Sequence, residues 1–240
     1  MDRQSASLNS SDTSTDPALR LVVFDCDGTL VDSASSIVSC MQASCSSHGF
    51  GEPEPEDIRR MVGLPLEEAV SRLFPDMDSD TVWSVREGYR DVFMDLRAKG
   101  KIHEPLYHGA VDTLQVLHDA GWLLGVATGK SLKGLVSTLG SHDIQDHFVT
   151  LQTPDHSPGK PNPEMLYRAM LETGVDASAT VMVGDTTYDM EMARNAGAVA
   201  IGVSWGYHAL EELLEAGAHR VIDVYSTLPE TIDSLMQTDP

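Results

Sequence analysis

Two aspartates separated by one residue, Asp25 and Asp27, close the apolar run Leu21-Val22-Val23-Phe24. A short apolar run that ends at a turn residue, here Gly28, predicts a buried strand of a parallel sheet. Its carboxyl end is the edge of an open α/β sheet where ligands bind. Like charges this close raise each other's pKa, so a buried pair needs a cation, and a divalent metal is the simplest remedy. A second acidic group follows in Val183-Gly184-Asp185-Thr186-Thr187-Tyr188-Asp189. There Asp185 closes a strand and Asp189 falls on the opening turn of a helix, a place where a helix dipole also favours an acid for structural reasons. Thr128 and Gly129 end the apolar run Leu123 to Ala127. A hydroxyl and backbone amides at such a turn can bind phosphate oxygens, or simply cap the next helix. Lys160 lies between two prolines in Ser157-Pro158-Gly159-Lys160-Pro161, so it is a cation on a stiff loop, suited to neutralising phosphate if it is not merely solvated.

These residues need a sheet to hold them. From Gly109 onward helices alternate with short β-rich runs: helix Ala110 to Asp119, strand Trp122 to Thr128, helix Leu132 to Leu139 and strand Phe148 to Leu151. The pattern continues through helix Pro163 to Thr173, strand Thr180 to Val183, helix Tyr188 to Asn195, strand Ala198 to Val203, and a last pair at Val221-Ile222 and Thr227 to Met236. Such alternation predicts an α/β fold, a Rossmann-like parallel sheet with helices on both faces. Between Asp32 and Glu104 only helices are expected, near Ala34 to His48, Glu54 to Met61, Leu66 to Leu73 and Ser79 to Arg97. The predicted organisation is therefore a disordered, dispensable tail over 1–17, a catalytic core over 18–33 and 105–240, and an inserted helical cap over 34–104.

Composition narrows the class. The 240 residues carry 16 basic against 37 acidic side chains, a net charge of −21, which disfavours nucleic acid and anionic membranes as partners. An anionic substrate would be repelled by the same field, so a phosphate site must be locally basic or metal-bound. No apolar run is long enough to span a bilayer. Three cysteines without metal spacing, Cys26, Cys40 and Cys45, indicate reduced thiols and a cytoplasmic protein.

Taken in order, the four carboxylates, the hydroxyl and the lysine resemble the haloacid dehalogenase-like hydrolases. The match is to their phosphoglycolate phosphatase-like branch with a helical cap, and it extends from about Arg20 to the end. The resemblance implies an Mg²⁺-dependent phosphatase acting on a small phosphorylated metabolite such as 2-phosphoglycolate. It makes Asp25 the nucleophile that forms an aspartyl-phosphate and Asp27 the acid and base. Thr128 and Lys160 would hold the phosphoryl group; Asp25, Asp185, the Asp27 carbonyl and, through water, Asp189 would bind the metal. Relatives that act as dehalogenases lack an acid at the position of Asp27. Thr29, Gly129 and Lys130 are further candidate substrate contacts, and Arg59 or Arg60, beside the turn Gly63-Leu64-Pro65, could pair with a substrate carboxylate or simply be solvated.

Three departures stand out: Gly129 where relatives often have asparagine, His108 where they often have proline, and Cys26 where a larger apolar residue is usual. Cys26 is either a small core residue or an oxidisable thiol beside the nucleophile. Competing readings are a mutase of the β-phosphoglucomutase type, a pyrophosphatase or nucleotide phosphatase, and a non-catalytic binder of phosphorylated ligands. Whether the protein is a monomer or a homodimer is left open by the sequence.

Overall fold

A computed structural model describes residues 19–237; the expected tail over 1–17 lies outside them. Six strands, β1 (Leu21–Phe24), β2 (Leu123–Ala127), β3 (Thr150–Gln152), β4 (Thr180–Gly184), β5 (Val199–Val203) and β6 (Arg220–Ile222), form one sheet in the order β3-β2-β1-β4-β5-β6. All neighbours pair in parallel. Successive side chains of a strand point to opposite faces, and here both faces are buried. Val22, Phe24, Val181 and Val183 join one apolar cluster with α5 (Ala110–Asp119), α6 (Leu132–Ser141) and α10 (Leu228–Met236). Leu21, Val23 and Met182 join the other, with α7 (Glu164–Thr173), α8 (Thr187–Ala196) and α9 (Leu210–Glu215). This covering explains why the strands read as unbroken apolar runs.

Between β1 and α5 the described chain is helical: α1 (Ala34–Ser47), α2 (Pro55–Arg60), α3 (Leu66–Leu73) and α4 (Ser79–Ala98). These helices have an apolar cluster of their own, with Ile37, Met41, Ile58, Val70 and Val85 at its centre. Asp78 starts α4 by accepting the Thr81 amide at 2.9 Å, an N-cap that satisfies a donor otherwise left open. The segment leaves and rejoins the sheet side by side: the Asp32 amide donates to the Pro105 carbonyl at 2.8 Å, and Val31 bridges antiparallel to Leu106.

Two expectations shift. The third strand begins at Thr150 rather than Phe148, because residues 145–147 form a 3₁₀ turn that brings Phe148 into the core before the backbone reaches β2. Helix α9 was not expected; it has six residues, three of them glutamate, and buries only Leu213. No helix among the described residues is long and apolar enough to cross a membrane.

Candidate active site

Asp25, Thr128 and Asp185 follow β1, β2 and β4, three strands adjacent in the sheet, so their side chains emerge at one carboxyl-end edge. All three are essentially buried. The backbone that puts Asp185 beside β1 requires glycine. Gly28 has φ +82°, and a Cβ there would fall 2.2 Å from Asp185 Oδ2. Thr29 Oγ1 donates to Asp185 Oδ1 at 2.8 Å and the Tyr207 amide to Oδ2 at 3.0 Å. Asp189 is held by the start of α8, where Thr186 donates to its Oδ2 through the amide (3.0 Å) and the hydroxyl (2.7 Å). Its other oxygen meets Lys160 Nζ at 2.6 Å, and Lys160 also pairs with Asp25 Oδ2 at 2.9 Å. Lys160 is completely buried, so this is a fixed cation on a stiff loop rather than a solvated one.

Carboxylate oxygens of Asp25, Asp185 and Asp189 lie within 4.8 Å of one another. Among the described residues Lys160 is the cation that pairs with this group, so three buried acids face one ammonium. Burial pushes the Asp25 carboxyl up to about 7, against the pull of Lys160. Asp185, buried and facing Asp25 and Asp189, is raised well above the carboxylate range. Burial alone would lower Lys160, but Asp189 and Asp25 outweigh it and hold its ammonium above the usual lysine range. A site with surplus negative charge and oxygen-only donors suits a hard divalent cation such as Mg²⁺ and not zinc.

Asp27 sits at the edge of this group, on the wall of a cavity of about 620 Å³ between the sheet edge and helices α1 to α4. Ser33 Oγ donates to its Oδ1, and Lys130 Nζ pairs with the same oxygen at 2.6 Å. Lys130 is tied in turn to Glu104 at 3.1 Å, and buried Glu104 accepts from Arg97 and from Thr138 Oγ1. Ser33 and Glu104 carry no signal in the sequence beyond position, on the two connections that flank the acids; Tyr207 lies in the strand-end loop 204–208, which the sequence places at the same edge, and it packs against the apolar cluster of α1 to α4.

Other expected contacts are placed differently. Thr29 turns its hydroxyl to Asp185 and so positions an acid. Thr128 Oγ1 accepts the Lys130 amide at 3.3 Å within its turn. Arg59 and Arg60 are not brought to the cavity: Arg59 pairs with Glu56 (3.2 Å) and Arg60 with Glu212 of α9 (2.7 Å), both half-exposed. Arg60 instead helps to seat the helices on the sheet, since its carbonyl also accepts from Tyr188 Oη at 3.2 Å. Cys26 is a core residue with no exposed surface; burial and Asp27 push its thiol well up, which removes the reactive thiolate. Cys40 and Cys45 are equally buried. A thiol reagent such as DTNB is therefore expected to titrate none of the three cysteines in the folded protein and all three in urea; a fast-reacting thiol in the native state would contradict this.

The turn Gly63-Leu64-Pro65 is already seated over the site. A Cβ on Gly129 would lie 2.5 Å from the Leu64 carbonyl oxygen and 2.8 Å from that of Gly63, and one on Gly159 only 2.0 Å from Pro65 Cγ. Gly129 thus stands in place of asparagine because the turn comes down on it. Gly129→Ala is expected to push the turn away and to lower kcat/KM by about tenfold, since small misplacements around a site carry costs of this order or greater, with the melting temperature little changed. Unchanged kinetics would show that the turn has room to move.

The family model of the haloacid dehalogenase-like hydrolases matches residues 22–203. The chain belongs to that family. It is 36% identical over 225 residues to "Probable phosphatase IndB" of Dickeya dadantii, covering 90% of this chain and 95% of the relative. To a "Phosphoglycolate phosphatase" of Vibrio parahaemolyticus it is 31% identical over 223 residues, covering 91% and 98%. A crystal structure described as "a predicted phosphatase from Clostridium acetobutylicum" superposes with a TM-score of 0.81 at 26% identity, covering 91% of this chain and all of that one. As a haloacid dehalogenase-like hydrolase with phosphatase relatives along nearly its whole length, the chain is a phosphoric monoester hydrolase.

Proposed function

We propose that this phosphatase is Mg²⁺-dependent and cleaves a small phosphorylated metabolite through an aspartyl-phosphate on Asp25. The observation that carries the reading is the cluster of three buried carboxylates served by one lysine: its unbalanced charge favours a divalent cation. Asp25, Asp185 and the Asp27 carbonyl would hold Mg²⁺, with Asp189 behind. When bound, the ion supplies positive charge that lets a carboxylate approach an anionic phosphoryl group and steadies that group in flight.

The remaining roles belong to side chains. An Asp25 oxygen attacks phosphorus as the bond from phosphorus to the substrate oxygen breaks, and Asp27 gives its proton to that leaving oxygen. Asp27, now a carboxylate, takes a proton from water; the water oxygen attacks phosphorus, the bond to Asp25 breaks, and inorganic phosphate leaves. Lys160, fixed by Asp25 and Asp189, offers an ammonium to the phosphoryl oxygens, and the Thr128 turn offers a hydroxyl and amides. Ser33 and Lys130 keep the Asp27 carboxyl aimed across the site. Helices α1 to α4 act in this reading as a cap over 34–104 that excludes water and selects substrates.

Malachite-green detection of phosphate released from a panel of monoesters, with Mg²⁺ and with excess chelator, tests the reading. Release that needs the metal supports it. Release that survives the chelator, or none from any compound by folded protein, overturns it.

A further inference from the structure

Helix α4 bears a stripe that nothing in the reaction uses. Arg86, Arg90, Phe93 and Arg97 recur at intervals of four, three and four, the spacing of a single helix face, and all four line the cavity beside Asp27. From Arg97, tied through Glu104 and Lys130 to Asp27, to Arg86 is about 16 Å along the axis at 1.5 Å per residue. The cavity therefore runs far past the reacting phosphate. Tyr89, one residue from Arg90, also lines it, and its ring lies near parallel to that of Phe93, with centroids 6.0 Å apart and planes at 22°, while Arg97 and Lys130 lie over the Phe93 ring at 5.0 and 5.7 Å.

Charge along this wall reverses that of the chain. Five lining side chains are lysine or arginine against three acids, in a protein of net charge −21. Arg97 and Lys130 are committed to Glu104 and Asp27. Arg86 and Arg90 are less committed: Arg86 lies over the Trp83 ring at 4.2 Å and pairs loosely with Glu67 at 3.5 Å and Glu87 at 3.7 Å, and Arg90 pairs with half-exposed Glu87 at 3.1 Å, contacts between partly exposed groups that a ligand can share. Since the Gly63-Leu64-Pro65 turn is seated on Gly129 and Gly159, this is the volume with the cover down. About 620 Å³ falls within the range of pockets that enclose drug-sized ligands. A two-carbon acid would leave most of it to water.

We infer that the alcohol part of the substrate is a planar ring carrying several oxygen acceptors, of nucleoside size, with the ring against Tyr89 and Phe93 and its oxygens toward Arg86 and Arg90. The inference rests on the phosphatase reading and names the substrate class for the same site.

Three probes decide: uridine 5′-monophosphate (ring and acceptors), ribose 5-phosphate (acceptors without the ring) and 2-phosphoglycolate (neither ring nor bulk). The expected result is a kcat/KM for uridine 5′-monophosphate at least tenfold above the other two. Phe93→Ala and Arg90→Gln should each reduce that advantage about tenfold, the scale of one lost stacking or ionic contact. Arg59→Gln, on the outer face, should leave it intact. Should Phe93→Ala fail to fold, calorimetry on Asp25→Asn gives the same answer: tighter binding of uridine 5′-monophosphate than of 2-phosphoglycolate is required. Equal or better turnover of 2-phosphoglycolate or ribose 5-phosphate overturns the inference and leaves the phosphatase standing. Silence with all three probes, while p-nitrophenyl phosphate is hydrolysed in Mg²⁺, overturns the inference and leaves the phosphatase standing; silence with p-nitrophenyl phosphate as well overturns the phosphatase reading.

Discussion

Asp25→Asn is expected to lower phosphate release by about 10⁴-fold or more, the order seen when a covalent nucleophile is removed, while the protein remains folded. The expectation follows from the place of Asp25 at the end of the central strand, its Oδ2 2.9 Å from buried Lys160. An amide of the same shape keeps the packing, yet it is too weak a nucleophile to displace an alcohol from phosphorus. Lys160 retains Asp189 as a partner at 2.6 Å, so no lone buried ammonium is created. Single-turnover phosphate release together with a thermal melt checks both halves. Residual turnover within tenfold of native would remove Asp25 from the reaction.

The second large effect runs against the usual sense of a damaging mutation. Asp185→Asn is expected to make the metal-free protein more stable at neutral pH and to abolish its response to Mg²⁺. Asp185 is a buried carboxyl whose partners are a hydroxyl and an amide, and its pKa is held well above the ordinary range by burial and by Asp25 and Asp189. A folded-state pKa above the unfolded one means that the folded protein prefers the proton. Stability from such a group is full below about pH 4 and falls as the pH climbs, for Asp25 across the interval from 3.8 to about 7. Metal-free protein should thus melt at progressively lower temperature from pH 4 to pH 7. Asparagine at 185 removes part of that slope: its amide oxygen can accept from the Tyr207 amide and its NH₂ can donate to Thr29 Oγ1. In a chain of this size each kcal/mol moves the melting temperature by about 2–4 °C. Scanning calorimetry of both proteins, with chelator and with Mg²⁺, would read the effect. A variant that melts lower than native without metal, or that still gains stability from Mg²⁺, would contradict it.

How much of this was legible in the sequence depended on whether a residue's partner was near in the chain. Strands β1 and β4 are short apolar runs ended by an acid and a turn residue, the pattern of strands buried on both faces, so the sheet and the meeting of Asp25 with Asp185 at one edge followed. Asp189 was placed correctly beside its loop because its holder, Thr186, is three residues away. The role of Thr29 is hidden from the sequence because the acid it positions, Asp185, is 156 residues distant. Arg59 and Arg60 drew notice as a basic pair beside a turn; which face of a six-residue helix meets the sheet was decided by Glu212 and Tyr188, far along the chain. The arginine stripe of α4 was present in the spacing, but a periodic charge on a helix reads as a solvated face until a wall opposite it is known.

The paired connections at Asp32 and Pro105 also bear on how the chain finds this fold. Strand β1 must pair with β2 across about 100 intervening residues, a closure that ordinarily makes parallel sheets slow to form. Most of that interval is α1 to α4, which pack on one another and whose two ends are joined by the Asp32 amide to the Pro105 carbonyl and the Tyr107 amide to the Leu30 carbonyl. Once these helices have condensed, the loop left to close is about 30 residues instead of 100, which by (3/2)RT ln n saves about 1 kcal/mol of chain entropy. The segment proposed to cover the reaction would thus also draw the two central strands within reach during folding.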